Sequence, residues 1–311
     1  MTALLKERIE GGLLGLLIGD ALGVPYEFHP ANEIPPLSQI EFDPPSTLRR
    51  SHNVPPGTWS DDGAQALVLL ASLNHCSKLD LDDFGRRLVN WHEHGYMAVD
   101  NYVFDVGIQT SQAIDRLMRG VPANESGATT ESANGNGSLM RVLPLALWHK
   151  GTDEDLVHDA HQQSIVTHGH MRSQVCCALY CLWARCTLTE SKDAWTEAAS
   201  RLIKVYENNP AARYELEGII RPQDSAPNKG SGYVVDCLRS ARWANEAESY
   251  EEVVKRAISL GNDTDTTACV AGGIAGIRFE VNQIPEQWRT RLRGKDLYEP
   301  LLQSLLDRYH E

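Results

Sequence analysis

Along most of this chain, apolar positions recur with the 3.6-residue period of a helix, while the two-residue alternation of a half-buried strand is scarce. The pattern predicts a first helix over residues 4–23, with the glycine-rich middle Gly11-Gly12-Leu13-Leu14-Gly15-Leu16-Leu17-Ile18-Gly19. Glycine lowers helix propensity, so this segment requires close-packed neighbours. Pro25 ends it, leaving Asp20 near its end and Glu27 at the mouth of a loop. Residues 29–56 are proline-rich and irregular, and a connection this long is either a functional lid or a passive surface excursion.

Helical spacing returns over residues 64–73, through Phe84, Leu88, Val89 and Trp91, and again at Ile114 and Leu117. A loop over residues 120–137 delivers Gly135-Asn136-Gly137-Ser138-Leu139-Met140-Arg141. Glycine there lets backbone approach a ligand, although an ordinary loop-to-helix transition reads alike. Thr167-His168-Gly169-His170 opens a helix bearing Cys176, Cys177, Cys181 and Cys186, and residues 208–232 read as a polar loop. Further helical patterns follow at Val234, Val235, Leu238 and Trp243, and at Trp288, Leu292, Leu297, Leu301 and Leu305. The expectation is an all-α fold, a compact single-domain helical bundle of orthogonal type over residues 1–311, without a repeat of solenoid length.

Two turns interrupt the apolar pattern with charge. Gly261-Asn262-Asp263-Thr264-Asp265-Thr266-Thr267 runs directly into an uncharged segment of small residues, and Gly57-Thr58-Trp59-Ser60-Asp61-Asp62-Gly63 does the same. Each reads as the start of a buried helix. Capping accounts for one acid in such a turn, but not for the second acid and the further hydroxyls. A buried carboxylate must be neutralised, paired or bound to a metal. If the two helix starts face each other, four carboxylates and two hydroxyls converge, an all-oxygen set suited to Mg²⁺, Mn²⁺ or Ca²⁺.

Composition narrows the partners. The formal net charge of −13 over 311 residues argues against nonspecific binding to nucleic acid or to an anionic membrane, which would need a basic face. The apolar run from Leu13 to Ile18 is too short to span a bilayer, and no secretory cleavage pattern precedes it, so a cytoplasmic protein is expected. Seven cysteines without paired Cys-x-x-Cys spacing read as small hydrophobes. The His168-x-His170 pair reads as a surface or capping pair before it reads as a zinc site.

Taken together, these motifs resemble the ADP-ribosylglycohydrolase family across nearly the whole chain. The likeness rests on Gly19-Asp20-Ala21-Leu22-Gly23 with Glu27, Trp59-Ser60-Asp61-Asp62-Gly63, Asn136-Gly137-Ser138-Leu139-Met140-Arg141, Thr167-His168-Gly169-His170, Gly230-Ser231-Gly232-Tyr233 and Asp263-Thr264-Asp265-Thr266. The resemblance implies a helical bundle around a binuclear site of two divalent cations, Mg²⁺ or Mn²⁺. Ser60, Asp61 and Asp62 would form one half of the ligand set, and Asp263, Asp265 and Thr266 the other. Ser60 stands where many members carry threonine, keeping the hydroxyl. Gly63 and Asn262 also depart from the family pattern, at positions that are not metal ligands in it.

By the same resemblance, Asp105 and Gly107 would lie near the distal ribose, and Asn136, Gly137, Ser138 and Met140 would line the diphosphate. His168 would lie near the phosphates or adenosine, and Tyr233 beside adenine. Asp61 and Asp62, and after them Glu27 and Asp105, are the candidate acids and bases. The implied activity is metal-dependent removal of ADP-ribose from a modified protein, first from arginine, releasing ADP-ribose. Two alternatives stand beside it. One is the same fold acting on O-linked ADP-ribose, at serine or in O-acetyl-ADP-ribose; the other is a non-catalytic ADP-ribose-binding or immunity protein.

Overall fold

The computed structural model describes residues 3–224 and 229–309. Its elements, in order, are α1 (Ala3–Gly23), α2 (Asp61–Cys76), α3 (Leu81–His94), α4 (Ile108–Met118), α5 (Leu143–Trp148), α6 (Asp153–Ile165) and α7 (Met171–Leu188). Then come α8 (Ala194–Val205), α9 (Pro210–Arg213), α10 (Val234–Ala244), α11 (Tyr250–Ser259), α12 (Thr264–Phe279), α13 (Glu286–Arg291) and α14 (Lys295–Asp307). Among the described residues there is no sheet, only isolated pairings such as Pro30 with Gly261 and Gly135 with Tyr233. The helical, single-domain expectation therefore holds.

The fold is built around α1 lying antiparallel on α12. Glycine every fourth residue puts a bare stripe on one face of α1, and α12 answers with small residues. A Cβ added at Gly11 would come within 2.2 Å of Gly276 O, and one at Gly15 within 2.4 Å of Gly272 O. At Gly19 it would meet Ala268 O at 2.2 Å, and at Gly23 Asp265 Cα at 2.4 Å. The two backbones touch along the whole stripe. This contact carries the C-terminal end of α1, with Asp20, to the N-terminal end of α12, with Asp265.

Around that pair, α2, α5, α7, α10, α11 and α14 complete one continuous core. The rest of the surface of α1 supplies Leu13, Leu16 and Leu17, all fully buried, each contributing roughly 1.5–3 kcal/mol of apolar burial. By length and composition α1 could cross a membrane, yet 94% of its apolar window is buried inside the protein. The short run from Leu13 to Ile18 understates that apolar length, and burial against α12 is what assigns the helix to the core.

Residues 208–220 correct the expected polar loop. Asn209 caps α9 by accepting from Ala212 N, Pro210 occupies the first helical position, and a π-helical turn over Tyr214–Ile220 follows. Leu216 and Ile220 are buried, apolar anchors too widely spaced to stand out among polar neighbours. In the proline-rich segment 29–56, Ile40 and Phe42 are fully buried, and Trp288 Nε1 donates to Glu41 Oε2 at 2.6 Å. The middle of that segment is thus fixed to the body.

Candidate metal centre

The N-terminus of α2 is capped without spending its own acids. The Asp20 carboxylate accepts from Ser60 N at 2.9 and 3.1 Å and from Gly63 N at 2.7 Å, and Ser60 Oγ accepts from Asp62 N at 3.3 Å. Free N–H groups of the first turn are satisfied from there. Asp61 and Asp62 are left for other work. Asp61 Oδ2 accepts from Gln65 Nε2 at 2.9 Å, and Asp62 Oδ1 from Thr266 Oγ1 at 3.3 Å.

Asp263, at the start of α12, makes no side-chain cap; its Oδ2 accepts from Asn136 Nδ2 at 2.9 Å. Asp265 Oδ1 accepts from Thr266 N at 2.9 Å. Asp62 Oδ2 and Asp265 Oδ2 are buried with no hydrogen-bond partner. Carboxylate oxygens of Glu27, Asp263 and Asp265 lie within 4.8 Å of one another, as do the ligand atoms of Glu27, His52 and Asp105. His52 Nε2 sits 2.5 Å from Glu27 Oε2 and 4.0 Å from Asp105 Oδ1.

Bare carboxylates cannot all ionise at this spacing. Burial, and after it the facing carboxylates, push Asp61, Asp62 and Asp265 well above the usual carboxylate range. Glu27 is pushed up to about 11 by burial and then by Asp105, Asp263 and Asp61. Asp20 rises to about 7 through burial, despite its backbone donors. Such a cluster takes up protons or takes up cations. The residues fit a hard divalent cation, because the donors are oxygens and two buried carboxylate oxygens have no other partner.

The residues expected to line a substrate divide by where their side chains point. Gly107 is exposed at the start of α4, and half-buried Asp105 adopts a left-handed φ of 58°. Tyr233 is 40% exposed, its hydroxyl accepting from an Arg172 nitrogen at 3.2 Å while Arg172 Nε donates to Glu215 Oε2 at 2.8 Å. Asn136 N donates to Gly232 O at 3.0 Å, which joins the 135–137 and 230–233 loops.

His168 packs beneath that junction: a Cβ at Gly137 would lie 2.8 Å from its Cε1. Burial, then Arg141, pulls its imidazole down to about 3. Ser138 Oγ is within 2.9 Å of Ser164 Oγ, and Met140 is buried with its carbonyl accepting from Cys269 Sγ at 3.6 Å. Those two side chains face the core, and the Ser138 carbonyl is engaged there too, accepting from Gln163 Nε2 at 3.2 Å. His170 accepts from Arg172 N through Nδ1 and caps α7.

A family model described as ADP-ribosylglycohydrolase matches residues 1–311. The chain belongs to the ADP-ribosylglycohydrolase family. It is 29% identical over 304 residues to the ADP-ribosylarginine hydrolase Tri1 of Pseudomonas putida (strain GB-1), covering 97% of this chain and 78% of that protein. To the ADP-ribosyl-[dinitrogen reductase] glycohydrolase of Rhodospirillum rubrum it is 28% identical, covering 93% and 91%. To the ADP-ribosylhydrolase ARH3 of Homo sapiens it is 26% identical, covering 96% and 92%. A solved structure titled "ADP-ribosylglycohydrolase-related protein complex" superposes with a TM-score of 0.77 at 28% identity over 99% of each chain.

Three further residues at the centre carry little or no signal of their role in the sequence. Gln65 carried a signal, being an amide four residues after Asp61 inside an apolar run. Arg141 closed a motif without a role attached. His52 sits in the proline-rich segment, where no periodicity marks it, and only the folded chain brings it to Glu27.

Proposed function

We propose that this chain is a divalent-cation-dependent hydrolase that removes ADP-ribose from an arginine side chain of a modified protein. The observation carrying the cation dependence is the pair of buried carboxylate oxygens, Asp62 Oδ2 and Asp265 Oδ2, that have no hydrogen-bond partner. The arginine linkage is supported by relatives named as ADP-ribosylarginine hydrolases.

In this reading Asp61, Asp62, Asp263 and Asp265, with the hydroxyls of Ser60 and Thr266, hold two ions, Mg²⁺ or Mn²⁺. When bound, the cations supply positive charge that orients ribose hydroxyls and makes a neighbouring water more acidic. The chain's own residues do the rest. Asn136 holds Asp263 in place, half-buried Gly137 would meet the diphosphate with no side chain in the way, and Tyr233 offers a ring face braced by Arg172. Glu27, in contact with His52, is placed to hold or pass a proton at the mouth of the centre, with Asp61 and Asp62 as the deeper acids. Glycosidic cleavage develops positive charge at the anomeric carbon, which nearby carboxylates stabilise. A released guanidine then gains a proton readily, its pKa lying above about 12.

The test is incubation of the purified chain with Mn²⁺ or Mg²⁺ and proteins carrying arginine-linked or serine-linked ADP-ribose. Release of ADP-ribose from the arginine substrate, lost in Asp61→Ala and Asp263→Ala with helical content retained, is the expected result. Release from the serine substrate alone would transfer the activity to O-linked ADP-ribose. Release from neither, with ADP-ribose still bound, would make the chain a binding protein.

A further inference from the structure

Arg141 is fully buried, and none of its hydrogen-bond acceptors is a carboxylate. Its Nε donates to Gln163 Oε1 at 3.1 Å, and its two terminal nitrogens donate at 2.9 Å to Gln65 Oε1 and to Gln163 O. Its guanidinium lies 5.1 Å from the centre of the Phe84 ring. A buried cation surrounded by neutral acceptors is held at a desolvation cost that makes its few hydrogen bonds obligatory. The acid that this hydrogen-bonded chain reaches is Asp61, one side chain away through Gln65.

The direction of the relay follows from the donor inventory. A guanidinium only donates, so the Gln65 carbonyl must face Arg141 and its NH₂ must face Asp61. Gln65 is itself fully buried, so both ends of its amide need hydrogen-bond partners. Turning the amide over would set NH₂ against the guanidinium and carbonyl against carboxylate. Arg141 thereby locks the orientation of Gln65, and Gln65 commits Asp61 Oδ2 at 2.9 Å.

We propose that Arg141 and Gln65 are positioning residues for the cation centre: Arg141 sets the Gln65 amide, and that amide holds Asp61 in the geometry that ligates an ion. The proposal rests on the reading of Asp61 as a ligand, and it adds a supporting pair that none of the sequence motifs assigned. Outer residues of this kind govern metal affinity because they orient a ligand before the ion arrives.

The test is Mn²⁺ binding to the full chain without substrate, followed by the paramagnetic resonance of free Mn²⁺. It compares wild type, Gln65→Met, Gln65→Asn, Asp61→Asn and the Asp61→Asn/Gln65→Met double variant, with ion-free thermal unfolding run beside it. Gln65→Met removes the donor, and Gln65→Asn keeps an amide too short to reach both partners. Each is expected to weaken Mn²⁺ binding about tenfold or more while still unfolding cooperatively. The double variant is expected to bind no worse than Asp61→Asn alone, because Gln65 acts through Asp61.

Wild-type affinity in both Gln65 variants, or additive losses in the double variant, would overturn the proposal. Failure of both Gln65 variants to fold without ions would make Gln65 a core residue and overturn it too. No Mn²⁺ binding by the wild type would defeat the cation reading itself, and this proposal with it.

Discussion

Thr266 donates its hydroxyl proton to Asp62 across 3.3 Å, joining two acidic turns 204 positions apart in the chain. The bond exists because the glycine stripe of α1 lets α12 approach until Gly23 lies against Asp265. Asp20, on the same turn of α1, meanwhile caps α2 and sets Asp62 opposite Thr266. One backbone contact thus positions both halves of the acidic cluster.

Removing or supplying cations should invert the effect of one substitution. Without ions, buried Asp265 faces Glu27, Asp105 and Asp62, so Asp265→Asn relieves repulsion and should raise the unfolding temperature of the ion-free protein. With ions, the same change removes a ligand. Wild type should gain about 2.7 kcal/mol at an ion concentration 100 times the dissociation constant, reversibly with EDTA, and the variant should gain little. Differential scanning fluorimetry reads both signs, and an equal ion-induced gain in the two proteins would refute the assignment of Asp265.

The pH dependence of stability has a component traceable to His168. Its folded pKa, about 3, lies below the ordinary value of 6.5, so its contribution is complete above 6.5 and is lost as pH falls toward 3. Between pH 7 and pH 5 that loss amounts to about 2 kcal/mol. The raised carboxyls, Asp20 and Glu27, act in the opposite sense, since their contribution is lost as pH rises. Comparison with His168→Asn isolates the histidine. Urea unfolding at the two pH values should show wild type losing about 2 kcal/mol more than the variant.

The α1–α12 contact predicts an unusual intolerance of alanine. At Gly276 a Cβ would stand 1.9 Å from Gly11 O, backbone that cannot move aside without separating the helices. Gly276→Ala should cost about 3 kcal/mol or more. Gly120 provides the contrast, with a φ of 83° and nothing within 4 Å of an added Cβ. Gly120→Ala should cost about 1–2 kcal/mol, from left-handed backbone strain alone. Equal losses in chemical denaturation would remove the steric explanation.

Gly261 ties the Glu27 segment to the second acidic turn. Phe28 N donates to Asn262 O and Asn262 N to His29 O, both at 2.6 Å. Gly261 has a φ of 69°, and a Cβ there would sit 2.5 Å from Ala31 N and 2.6 Å from His29 O. Gly261→Ala should therefore displace residues 28–31, lower stability by about 2 kcal/mol or more, and weaken Mn²⁺ binding together with it. Isothermal titration should show the affinity loss, and unchanged affinity would detach this segment from the centre.

The sequence by itself determined the helical class, the glycine stripe on α1 and the two turns in which paired acids precede an apolar helix. All three are local, written in periodicities and neighbours within one or two helical turns. Tertiary structure decided which oxygens remain unspent. Asp20 and Ser60 rather than Asp61 and Asp62 cap α2, Ser138 faces the core, and His52 reaches Glu27 from a segment with no periodic signal. It also decided that residues 210–220 coil into helix against the core. The physical reason is that a side chain's chemistry depends on its hydrogen-bond partners and its distance from water. For Asp62 and Arg141, those partners, Thr266 for the one and Gln65 and Gln163 for the other, come from chain segments that meet only when the helices close around α1 and α12.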